Sequence, residues 1–151
     1  MVHALEMIHA LLKEGGMLVD IHPSDQPPPV ELVVGEQRHF LGNMDETDDF
    51  IEYVQADLAL AEAIQKGLFV WERQGSFTYS ISTATVSELK EFLIEEWKDA
   101  VLPPEIDARE AELLSWYSGR NNPAVPGIVL TEHVRVARLR GLPREYSPAS
   151  P

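Results

Sequence analysis

Apolar side chains at positions 4, 5, 7, 8, 11 and 12 follow the i, i+3, i+4, i+7 spacing of an amphipathic helix, predicting a helix over residues 3–14. Gly15-Gly16 follows and supplies a residue free to take positive φ and close it. Residues 17–21, MLVDI, form a short, mostly apolar run between turn residues, which predicts a strand buried on both faces. Helix, glycines and strand together read as half of a parallel βαβ unit. Residues 22–29 form a loop, in which Pro27, Pro28 and Pro29 remove backbone donors and hold the segment extended. Residues 30–34 and 38–41 flank Gly35, Glu36 and Gln37 and predict a hairpin.

Further along, Thr47 is placed to cap a helix reaching Lys66, with Asp48 and Asp49 near its positive end. Phe50, Val54, Leu58, Ala61 and Ile64 make its stripe, and Gly67 ends it. Residues 68–83 alternate with the period of a strand, either as one long strand bent at Gly75-Ser76 or as two strands joined by a turn. Ser87 opens a helix to about Lys98, with Leu89, Phe92, Leu93 and Trp97 inward. Pro103-Pro104 begins another over 104–117, since proline suits a first helical turn. Ile128, Leu130, Val134, Val136 and Leu139 give a long closing strand. The expected fold is α/β, or α+β by connectivity: a partial, mixed sheet with a C-terminal antiparallel strand pair and three to four helices. One domain spans residues 1–141, and 142–151 form a flexible tail.

Composition narrows the functional classes. With 44% hydrophobic and 25% charged residues in 151, the chain is expected to fold as an ordinary globular domain. No apolar run approaches the roughly 20 residues of a membrane-spanning helix, and the first residues do not read as a secretory signal. Cytoplasmic residence is the expectation. The absence of cysteine removes disulfides, zinc-thiolate sites and thiol nucleophiles. A net charge of −13 argues against nucleic acid and anionic membranes as partners. The one basic stretch, Arg135, Arg138, Arg140 and Arg144, reads as a solvated face.

The run Ala4-Leu5-Glu6-Met7-Ile8-His9-Ala10-Leu11-Leu12-Lys13-Glu14-Gly15-Gly16-Met17-Leu18-Val19-Asp20 resembles class I S-adenosylmethionine-dependent methyltransferases. In that Rossmann-like family a helix of the pattern A-L-x-E-I-x-R-x-L-K-P-G-G leads into the fifth strand. The resemblance implies that the strands at 68–83 and 128–139 are the family's last two, the final one inserting between the fifth and sixth. The hairpin at 30–41 and the helices at 86–117 are insertions on that scheme. It covers the C-terminal half of the family's fold. The cofactor half carries a glycine-rich E/D-x-G-x-G-x-G turn, whereas this chain has nine glycines and no G-x-G. No catalytic, cofactor-binding or metal residue therefore carries over, and S-adenosylmethionine is expected only with a complementary half.

Asp20 and His22 are the most suggestive polar pair, a candidate ligand site at the C-terminal end of a sheet strand. Positions i and i+2 share a face, so a hydrogen bond between them is a sufficient reading. Asp45, Glu46, Asp48 and Asp49 read as charge at a helix start. His9 reads as surface and His39 as a hairpin residue, while Glu132 and His133 fall on opposite faces of a strand. Trp71, Phe77, Tyr79, Phe92 and Trp97 read as core. Met17, Leu18, Val19 and Ile21 are expected to form an exposed edge that invites pairing. Three functions follow. A methyltransferase-like body, non-catalytic alone, would act through a homodimer or a protein partner. It would alternatively be one subunit of a split methyltransferase, or an unrelated α+β ligand-binding domain with a pocket near Trp71, Tyr79 and Trp97.

Overall fold

The computed structural model describes residues 2–46, 49–97, 99–120 and 124–143. In chain order the elements are α1 (Val2–Leu11), β1 (Met17–Pro23), β2 (Pro29–Val34), β3 (Gln37–Asn43), α2 (Asp49–Gln65), β4 (Phe69–Thr83), α3 (Val86–Glu96), α4 (Pro104–Ser118) and β5 (Pro126–Gly141). Among the described residues, four helices and a five-stranded antiparallel sheet make the fold α+β, as connectivity predicted. Residues 69–83 form one strand, so the two-strand alternative does not occur. The Thr47 cap, the Asp48 charge and the tail from Arg144 onward lie outside the described residues.

Local chemistry accounts for the element ends. Gly15 (φ 68°) and Gly67 (φ 72°) take left-handed conformations just beyond α1 and α2, where a side chain would be strained. Thr85, two residues earlier than the expected start, caps α3: its side chain accepts from the Glu88 backbone N–H, while the Glu88 carboxylate accepts from the Ala84 N–H. Pro104 opens α4 as expected.

The hydrogen-bonded order is β1–β5–β2–β3, with β4 also paired to β5. β1 pairs antiparallel with residues 134–140 of β5, and β2 with residues 126–130. Helix, glycines and strand follow one another as expected around Gly15-Gly16, and no parallel neighbour lies beside β1 among the described residues. The only strand bonded to β1 among the described residues is β5, which arrives from the far end of the chain and runs the opposite way.

The chain divides into two compact units. One contains Met1–Ser24, Ile51–Phe77 and Val134–Pro151; the other contains Asp25–Phe50 and Thr78–His133. In the first, Leu60, Ala63, Phe69, Ala137 and Leu139 form the core, with Leu5, Ile8 and Leu18 packed on it. In the second, Val30, Leu32, Leu41, Leu89, Ile106 and Leu130 belong to a larger core under α3 and α4. α4 approaches β3 so closely that a β-carbon on Gly42 would lie 2.9 Å from Ile106 Cγ1.

Candidate functional site

Pleating sorts β1 into two rows. Leu18, Asp20 and His22 turn inward, while Met17, Val19 and Ile21 remain 53%, 56% and 61% exposed. β1 is therefore not buried on both faces, because no element among the described residues covers its outer row. Leu18, expected at the exposed edge, packs into the core instead. The helix before β1 buries none of its residues, and Met7 and Leu11 stand exposed on it.

The inward polar pair meets Asp57, which the sequence did not single out, and Arg135, which it read as part of a solvated face. His22 Nδ1 lies 2.6 Å from Asp20 Oδ2, and a carboxylate only accepts, so Nδ1 carries the hydrogen. That leaves Nε2 as the ring's other pole. It lies 3.3 Å from Asp57 Oδ1 on α2 but out of line for a hydrogen bond, and it is buried with no other partner among the described residues. Arg135, the register partner of His22 on β5, donates to the remaining oxygen of Asp57. The four groups border a cavity of about 250 Å³ whose wall includes Leu60, Trp71 and Gln74. The arrangement offers an imidazole nitrogen and a carboxylate oxygen side by side, each oriented from behind. Arg138 and Arg140 are likewise not simply solvated, since both reach the carboxylate of Glu72.

A second polar group lies within the other unit. Glu46 and Glu132 are 0% and 1% exposed. Glu46 thus does not belong to a solvated helix start, and Asp45 beside it exchanges backbone hydrogen bonds with Val101. Burial, then the charge of Glu46, pushes the Glu132 carboxyl up to about 7, with a partial offset from the His133 backbone N–H. Neither Glu132 oxygen accepts a well-aligned hydrogen bond from the described residues. Burial and the same two carboxylates also raise the Tyr79 hydroxyl. The signal for Glu132 was present in the sequence: it shares strand parity with the apolar Ile128, Leu130 and Val134.

Other expected positions scatter. His9 hydrogen-bonds the Leu142 carbonyl at 2.8 Å and sets its ring edge against Phe69, so it is not a plain surface residue. His39 donates to the Tyr117 hydroxyl, which itself donates to Gln37 Oε1 at 2.5 Å. Trp71, Phe77 and Tyr79 are 37%, 48% and 44% exposed rather than core. Tyr79 and Trp97 line a shallow cavity with Ile81 and Phe92, whereas Trp71 lines the one beside His22. Among the described residues, no group of three or more His, Asp or Glu side chains is arranged to hold a metal, and no helix is long and apolar enough to cross a membrane. No protein-family profile matches the chain, and no curated protein or solved structure matches it.

Proposed function

We propose that this chain is a methyltransferase-like body that transfers no methyl group alone and works by association through β1, in the cytoplasm. The observation that carries the reading is the open side of β1. Its ladder has a partner on one edge only among the described residues, and its uncovered face is the apolar one. Unpaired strand edges with apolar faces pair readily with further strands. The order β1–β5–β4, with β5 antiparallel between the other two, is also what the resemblance of residues 4–20 to class I methyltransferases implies. The favoured partner is a body carrying the glycine-rich cofactor turn, joined to this chain or separate from it. A second copy is disfavoured by charge, since two chains of −13 repel.

Light scattering of the purified chain, alone and mixed with cofactor-binding halves of class I methyltransferases, tests this reading. Calorimetry with S-adenosylmethionine accompanies it. A mixed complex that binds the cofactor, and that is lost in Val19→Lys/Ile21→Lys while circular dichroism stays unchanged, is the expected result. A monomer in every mixture, with no cofactor binding, refutes the proposal.

A further inference from the structure

We propose that the cavity between β4 and α3 binds a small organic cation of the quaternary ammonium class. Tyr79 and Ile81 of β4, Phe92 and Glu96 of α3, and Trp97 just beyond α3 line about 390 Å³ of open space. Three aromatic rings thus border one volume, with an exposed carboxylate at its rim. Among the described residues none of the three rings is paired with another ring or covered by a cation, and Glu96 has no ion-pair partner. Trp116 differs, since the Arg120 guanidinium lies 3.5 Å from its ring centroid.

The charge around this cavity is negative. β4 pairs with β5, and the Ser80 and Thr131 hydroxyls lie 3.3 Å apart across that pair. Their chain neighbours Tyr79 and Glu132 therefore turn together to the opposite face. Burial, then the charges of Glu132 and Glu46, raises the Tyr79 hydroxyl, so both buried carboxyls act at the cavity wall. Such a potential repels an anion. A primary ammonium is disfavoured too, because it gives up water only for several oxygen partners and this wall offers mostly rings. A quaternary ammonium has no N–H to satisfy. Its charge is spread over methyl groups that pack on Ile81 and are drawn to ring faces by the aromatic quadrupole. Glu96 and the carboxyls behind Tyr79 supply the counter-charge. All of these residues belong to the second compact unit, so the inference does not rest on association through β1.

The test titrates the full chain with choline and, separately, with its uncharged isostere dimethylbutanol, in which carbon replaces nitrogen. Calorimetry and the indole N–H resonance of Trp97, assigned with Trp97→Phe, follow the binding. Choline should occupy one site per chain, shift that resonance and bind roughly tenfold or more tightly than the isostere. Trp97→Leu and Tyr79→Leu keep apolar bulk and should each weaken choline roughly 2- to 30-fold. Glu96→Gln changes an exposed position and should weaken choline while leaving the isostere unaffected. Circular dichroism checks that each variant is folded. Equal affinity for choline and isostere in the wild type overturns the inference, because the cavity would then be reading shape without charge. Absence of choline binding to the folded wild type overturns it as well, as does undiminished binding in both folded ring variants.

Discussion

Glu132 gives the sharpest perturbation, because its environment makes protonation and folding one equilibrium. The carboxyl is 1% exposed and its affinity for a proton is raised to about 7, from an ordinary value of 4.5. At 1.36 kcal/mol per tenfold change in proton affinity, that gap corresponds to about 3 kcal/mol. The folded chain holds the proton more tightly than the unfolded one. The stabilisation is thus complete below pH 4.5, declines as pH rises, and is lost once pH passes about 7.

Urea unfolding of the wild type and Glu132→Gln across about pH 4 to 9 isolates this contribution, since titrations elsewhere are common to both. The neutral amide has no proton to lose. The stability of Glu132→Gln relative to wild type should therefore rise by about 3 kcal/mol from pH 4 to above 7. The offset at acid pH reports only the change of shape and hydrogen bonding; the pH-dependent part reports the charge. Glu46→Gln should move the midpoint down but not to 4.5, because burial is the larger cause and remains. Parallel stability curves for Glu132→Gln and wild type would refute the reasoning, since they would mean that Glu132 meets the same environment folded and unfolded.

Two further perturbations test packing in the same unit. Gly42→Ala forces a β-carbon to within 2.9 Å of Ile106 Cγ1, so thermal unfolding should show a loss of about 1–3 kcal/mol. Unchanged stability would mean that α4 shifts freely on β3. Tyr117→Phe removes the hydroxyl that joins His39 to Gln37 and leaves both without that partner; urea unfolding should show a loss of about 1–2 kcal/mol.

Element existence was legible because period and punctuation agree: 3.6-residue stripes gave α1, α2 and α4, and Gly67 and Pro104 marked an end and a start. Pairing was not legible in the run itself, because MLVDI fits a parallel or an antiparallel neighbour equally well; only the resemblance placed the closing strand beside it, where β5 lies. The polar sites were half legible. Asp20 and His22 stand two apart on one strand and could be paired by eye. Asp57 and Arg135 join them only through the docking of α2 and the register of β5, which no local pattern encodes. Glu46 was misread because an acidic run next to a predicted helix looks solvated, whereas the Asp45–Val101 bridge lies next to a residue that is fully buried.

β1 inverts the usual arrangement of a half-buried strand, in which apolar residues turn inward and polar ones face water. Asp20 and His22 point in and need Asp57 and Arg135 to compensate them, while Met17, Val19 and Ile21 point out. Fully burying side chains of this size contributes roughly 1.5–3 kcal/mol each. With the three still more than half exposed, covering them offers on the order of 3 kcal/mol. Alone that would not hold two bodies together against the loss of their independent motion. Met7 and Leu11 on α1, together with the second edge of β1, which has no strand partner among the described residues, add to it from neighbouring positions in the same unit. A strand that turns polar groups inward and apolar ones outward is explained if both of its faces are covered in the working state. The inner polar row then has a task beyond filling space, and the outer row has a partner to meet.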